Sequence, residues 1–123
     1  MDSNATAPFP TVADVVGNTP VVRLQRMAPA GVTVLAKLEG ANPAGSVKDR
    51  PAFAMIQAAL REGRIAAGDT VVEATSGNTG IALAAAAAVL DLRLVIVMPD
   101  GASQERKDSM LAYGAELVTV DGG

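Results

Sequence analysis

The sequence predicts an α/β fold: three layers, helix–sheet–helix, around a mainly parallel sheet. Two observations carry this expectation. The second half alternates strand and helix patterns in the order β-α-β-α-β, which a parallel sheet with helical crossovers explains. The strand-like runs are short and rich in Val and Ile, whereas the segment "NTGIALAAAAAVL" is apolar nearly all round and reads as a close-packed buried helix.

The elements follow in chain order. The first ten residues, "MDSNATAPFP", lack a basic stretch and an apolar core, so they read as a flexible leader rather than a signal peptide. "TVADVVG" suits a short helix, with Thr11 as cap, Asp14 three residues on and Gly17 as stop. "NTP" turns the chain into a strand at "VVRL", and "VTVLAKLE", 32–39, is expected as a second strand. A loop, "GANPAGS", leads to a helix over about 49–62, with Phe53, Ile56 and Leu60 on one face. Ser46 and Asp49 could form a capping box, but that would place Pro51 too deep, so the helix should begin near Lys48. "TVVEA" is expected as a short buried strand and "LRLVIVMP" as the next. Ser103 can cap a helix over about 104–113, Gly114 can stop it, and "AELVTV" forms the last strand.

Composition removes whole classes of function. The chain of 123 residues suits one domain, and half of its residues are hydrophobic, so a packed core is expected. Net charge is −3, with ten basic residues scattered along the chain, which is no nucleic-acid footprint. Phe9, Phe53 and Tyr113 are its only aromatics, too few for base-stacking platforms. There is no cysteine, so disulfides, thiolate nucleophiles and cysteine metal sites are excluded, and a reducing compartment such as the cytoplasm fits. There is no histidine, so neither a Ser-His-Asp triad nor a histidine metal cluster can be built. Proton transfer must rest on Lys, Asp, Glu, Tyr or a cofactor. The longest apolar run, Ile81 to Leu90, is about half of the roughly 20 residues a membrane span needs.

Two loops could carry chemistry. "TSGNTG" joins a strand to a helix, at the sheet edge where α/β proteins bind ligands. Gly77 and Gly80 allow close backbone approach, Thr75, Ser76, Asn78 and Thr79 supply hydroxyls and an amide, and the helix start favours an anion. The set suits a small carboxylate, although the same residues also suit plain capping and turning. "NPAGSVKDRPA" puts Lys48 at a helix mouth, where the dipole disfavours the protonated amine and so favours Schiff-base chemistry. A solvated lysine balanced by Asp49 is the competing reading. Lys37 and Glu39 share a strand face, as an edge feature or a satisfied pair, and "SQERKD" reads as a solvated helix start.

Together the segments "GNTPVVRL", "AKLEGANPAGSVKDRPA", "EATSGNTGIALA" and "MPDGASQERKDSMLAYGAELVTV" resemble the cysteine synthases. These are fold-type II pyridoxal 5'-phosphate enzymes, with the tryptophan synthase β-like fold. The last segment is more like the B-type members. The resemblance covers about residues 15–120, and four ordered motifs make it specific. It implies that Lys48 binds the cofactor covalently and removes the substrate's Cα proton. It implies that Asn78 bonds the cofactor's 3′ oxygen and that Thr75, Ser76, Gly77, Asn78 and Thr79 hold the substrate carboxylate. The implied reaction is a β-replacement in which O-acetylserine and sulfide, or thiosulfate, give cysteine, or S-sulfocysteine, and acetate. A cytoplasmic homodimer is implied, with no metal, nucleic acid or membrane partner. Sister activities, cystathionine β-synthase or serine/threonine dehydratase, and a non-catalytic truncated relative are the alternatives. The family's phosphate-gripping Gly/Thr loop and the residue facing the pyridine nitrogen have no counterpart within these residues. Residues 11–123 are thus expected to form the N-terminal α/β domain of such an enzyme, with the C-terminal domain outside this chain.

Overall fold

The computed structural model describes residues 9–122. Of the expected leader, residues 1–8 lie outside the described residues. The first element is a single 3₁₀ turn, Val12–Val15. Asp14 Oδ2 accepts from both the N–H and the hydroxyl of Thr11, at 2.7 and 3.0 Å. The expected helix is therefore only one turn long, and its acidic residue does the capping.

Strand β1, Val21–Arg23, pairs antiparallel with β2, Leu35–Lys37, in a two-stranded sheet. The expected strand over 32–39 is cut to three residues. Its partner offers only three, and the backbone turns into a 3₁₀ segment at Glu39–Ala41. The charges of that run also resolve differently from a shared pair. Lys37 Nζ donates to the Thr19 carbonyl at 3.1 Å, while Glu39 takes its own partners.

Helix α1, Asp49–Arg61, starts with Lys48 as its N-cap residue. Pro51 then falls in the first turn, where no N–H is needed. The Ser46–Asp49 capping box does not form: Ser46 Oγ accepts from the N–H of Lys48 at 3.2 Å, and Asp49 reaches back to Ala44. Phe53 and Ile56 are buried and Leu60 packs against the same core, as the helical spacing requires.

The central sheet has the order β3 (Thr70–Ala74), β4 (Arg93–Pro99), β5 (Glu116–Val120), all parallel. Helix α2, Asn78–Val89, joins β3 to β4, and α3, Gln104–Ala112, joins β4 to β5. Ser103 Oγ caps α3 by accepting from Arg106 N–H at 3.4 Å. Consecutive right-handed crossovers place both helices on one face. Leu94, Ile96 and Met98 of β4 point into that face and are buried with the alanines of α2 and Met110 of α3.

The opposite face is bare. Val72 is 62% exposed, Val118 47% and Val120 44%, and the register lines Val72 with Val95 and Val97 with Val118. The α/β fold with a parallel sheet is as expected, and among the described residues α2 and α3 cover one face of it. The same fact corrects the burial expected of "TVVEA": β3 is an edge strand with one open face.

Gly80 fixes how closely α2 approaches the sheet. A Cβ there would lie 2.7 Å from Thr75 Cγ2, 2.8 Å from Met110 Cε and 3.4 Å from Ile96 Cδ1. Gly80→Ala should destabilise the fold by about 1–3 kcal/mol, the usual range for overpacking. A lowered urea midpoint with unchanged slope checks this.

Candidate functional site at the carboxyl edge of the sheet

Chain direction brings the two candidate loops to one edge. Helix α2 begins where β3 ends and runs back along the sheet. Helix α1 ends in the short turn that enters β3 and packs beside α2. A cavity of about 220 Å³ is lined by Met55, Ile56 and Ala59 of α1 together with Val71 and Glu73 of β3, so α1 lies alongside the strand. The N-terminus of α1, with Lys48, therefore sits at the same edge as the loop Thr75–Gly77.

The loop is open and polar. The parallel ladder ends with Thr75 N–H donating to the Val97 carbonyl at 3.1 Å. Ser76 and Asn78 are exposed, and Thr75, Gly77 and Thr79 are half-buried. The Thr75 hydroxyl accepts from Gly77 N–H at 3.4 Å. The N–H groups of Asn78 and Thr79 have no partner among the described residues, as the first turn of a helix leaves them. No atom lies within 4 Å of where a Gly77 Cβ would stand, so the backbone is accessible from outside. A cavity of about 340 Å³ opens beside Ser76, between Gly101, Ala102 and Arg106.

Lys48 is exposed, and no hydrogen bond or ion pair holds its amine among the described residues. Its backbone is held instead, at N–H by Ser46 Oγ and at the carbonyl by Ala52 N–H at 3.1 Å. A free amine thus projects from a fixed main chain. Among the described residues no group of three His, Cys, Asp or Glu side chains could hold a metal ion.

Two features escape the sequence reading. Arg106, within the segment read as a solvated helix start, donates from α3 to the Ser76 carbonyl at 3.4 Å. A part-buried polar cluster also ties the lysine loop to Gly17 and Thr19. Arg50 donates from Nε to Glu39 Oε2 at 2.8 Å and from Nη2 to Oε1 at 3.0 Å, a two-point pair. Thr19 donates its hydroxyl to Glu39 as well. Asn42, buried, accepts from Gly17 N–H at 2.8 Å and donates to Glu39 and to the Ser46 carbonyl. Gly17 has φ +90, and a Cβ there would meet Arg50 Nη1 at 3.1 Å. Spacing alone does not pair Glu39 with Arg50, because the fold of the loop between them decides it.

The Arg50 guanidinium, helped by the Thr19 hydroxyl, holds the Glu39 carboxyl down to about 2. A carboxylate with a depressed folded value stabilises fully above its ordinary value of 4.5 and loses that contribution as pH falls towards 2. The stability gap between the parent and Glu39→Gln should therefore be widest at neutral pH. It should shrink between pH 4.5 and about 2, which urea titrations across that window measure.

A family model described as pyridoxal-phosphate dependent enzyme matches residues 12–123. The chain is 62% identical over 116 residues to cysteine synthase B of Pseudomonas syringae pv. syringae, covering 94% of this chain and 69% of that protein. It is 58% identical to cysteine synthase B of Escherichia coli (strain K12), covering 89% of this chain and 37% of that protein. Among solved structures, O-ureido-L-serine synthase superposes with a TM-score of 0.90 at 50% identity, covering 93% of this chain and 36% of that one. Cysteine synthase from Entamoeba histolytica does so with a TM-score of 0.86 at 39% identity, covering 99% and 38%. The chain thus spans well under half of most of these relatives. The match over residues 12–123 and the extent of the identity establish that it belongs to the pyridoxal-phosphate dependent enzymes, within the cysteine synthase family.

Proposed function

We propose that the chain forms the lysine and substrate-loop half of a pyridoxal 5'-phosphate enzyme that makes cysteine by β-replacement. The observation that carries the reading is the pairing, at one sheet edge, of a free amine on a fixed backbone with an open hydroxyl- and amide-rich helix start. This donor set fits the cofactor: one amine for covalent attachment, and an amide for the oxygen carried on its ring. It contains no imidazole, thiolate or metal ligand.

The roles divide as follows. Lys48 would hold the cofactor through its amine, and the same amine would serve as the base for the Cα proton of the amino acid. The Asn78 amide would donate to the cofactor's 3′ oxygen. Thr75, Ser76, Gly77 and Thr79, with the free N–H groups of the first turn of α2, hold the substrate carboxylate. When bound, the cofactor supplies the electron sink that makes the Cα proton removable. The overall exchange is balanced: O-acetylserine loses acetate from Cβ, and a sulfur nucleophile bonds there, giving cysteine from sulfide or S-sulfocysteine from thiosulfate.

A second domain, supplying the phosphate grip and covering the bare apolar face of β3–β4–β5, completes the site in this reading. Exposed apolar faces of this extent support such a covering layer. A cytoplasmic homodimer belongs to the same proposal. No helix among the described residues is long and apolar enough to cross a membrane.

Two measurements test it on the full-length protein. Lys48→Ala should abolish the absorption band of the covalently bound cofactor, and an unchanged band would remove Lys48 from the role. Thr75→Ala and Asn78→Ala should each lower kcat/KM for O-acetylserine by roughly 10- to 100-fold, the loss expected for one charge-assisted contact of about 1.5–3 kcal/mol. Product analysis with sulfide and thiosulfate identifies the donor, and release of pyruvate in place of cysteine would favour a dehydratase.

A further inference from the structure

The proposed chemistry leaves one buried ionisable group unused. Asp49, the first residue of α1, is 0% exposed and is among the largest fully buried side chains. Its Oδ2 accepts from Ala44 N–H at 2.6 Å, while Oδ1 is buried with no hydrogen-bond partner. Burying a carboxylate with one oxygen unpaired is costly, by about 1–3 kcal/mol for the orphan acceptor alone. Fold stability by itself would be better served by an apolar side chain of similar shape. Such groups persist where they fix something.

What Asp49 fixes is the loop that carries Lys48. The bond from Ala44 N–H closes the segment 44–49 into a ring through the Asp49 side chain. Inside it Asp49 N–H donates to the Ser46 carbonyl at 3.3 Å, and Lys48 N–H donates to Ser46 Oγ at 3.2 Å. From the other side Asn42 Nδ2 reaches the same Ser46 carbonyl at 3.0 Å. Among the described residues Lys48 has the only polar side chain without a hydrogen bond in this stretch of its loop, and the main chain is pinned before and after the amine-bearing residue. Holding a reacting group on a rigid support is worth far more in rate than in binding, and misplacement by about 1 Å can cost as much as 100-fold.

We propose that Asp49 is a positioning residue for Lys48: through the Ala44 latch its buried carboxylate sets the backbone from which the amine reaches the cofactor carbonyl. The inference rests on Lys48 being the cofactor-bearing lysine. It assigns Asp49 an acceptor's role, so the oxygen facing Ala44 matters more than the charge.

The test follows covalent capture of pyridoxal 5'-phosphate by the full-length apoprotein, trapped by borohydride reduction and counted by mass at the Lys48 peptide. Asp49→Asn keeps an acceptor for Ala44 and should capture within about threefold of the parent rate. Asp49→Leu keeps the shape and removes the acceptor, and should slow capture at least roughly tenfold at a temperature where it remains folded. Asp49→Ala serves where the leucine variant does not fold. A folded Leu or Ala variant that captures at the parent rate overturns the proposal, as does an Asn variant as slow as the Leu one. Failure of both the Leu and Ala variants to fold overturns it in favour of a structural role alone. Lys48→Ala, run in parallel, keeps the two readings apart: a Lys48→Ala variant that still captures one cofactor per chain at the parent rate, at another lysine, sinks the assignment of Lys48, whatever the Asp49 variants do.

Discussion

The close approach of α2 to β4 is the constraint on which the rest of the site depends. Ala82 and Ala84–Ala87 are all buried, and Gly80 sits where any side chain would meet Thr75, Met110 and Ile96. Small side chains contribute little apolar area each, but they let the helix axis come near the sheet. The large residues Leu94, Ile96 and Met98 then fill the space between layers. Because Gly80 is in the first turn of α2 and touches the space beside Thr75, the packing that seats the helix also seats the loop Thr75–Gly77. Core and site are not separable here: the same contact sets both.

The second helix start is positioned by different physics. Around Lys48 there is little apolar packing, and polar side chains do the holding. The Glu39–Arg50 pair, Thr19, Asn42 and Asp49 connect β2, its following turn and α1 to the residues near Gly17. Arg50 is partly exposed, at 38% of its side chain, whereas Asn42 and Asp49 are buried. The cluster therefore has a wet rim and a dry interior: Asn42 and Asp49 bond to backbone, and Asn42 and the buried Thr19 also bond to the Glu39 carboxylate. Side chains that bond to backbone fix loop shape directly, which long flexible ion pairs on a surface do not.

The sequence was legible where local rules decide. The helix starts at Asp49 and Gln104, the stripe of Phe53 and Ile56, the alanine-rich α2 and the parallel order β3–β4–β5 all follow from periodicity, capping and crossover handedness. It was illegible where distant partners decide. The second strand shrank to Leu35–Lys37 because β1 offers no more than three residues to pair with. Ser46 and Asp49 have the spacing of a capping box, yet Asp49 turned inward to Ala44, a choice set by the loop ahead of it. Arg106 looked solvated because nothing in its own segment reveals that Ser76 lies within reach. The burial of β3 failed for a related reason: its run of Val reads as a doubly covered strand, but burial depends on what lies across the sheet.

The bare face and the open loop share one explanation within the proposed reading. A site at the carboxyl edge of a parallel sheet has one wall made by its own helix starts and needs another. Here the start of α2 faces outward, with the N–H groups of Asn78 and Thr79 unpartnered among the described residues, and the sheet beside it turns an apolar surface of Val72, Val95, Val97 and Val118 to the other side. A domain docking on that surface would bury apolar area at about 25 cal/mol per Å² while bringing its own groups up to the same edge. Substrate access and domain attachment are then controlled by one junction. In that reading the hydrogen-bonded main chain around Lys48 and the accessible loop Thr75–Gly77 divide the labour that a cleft between two domains requires.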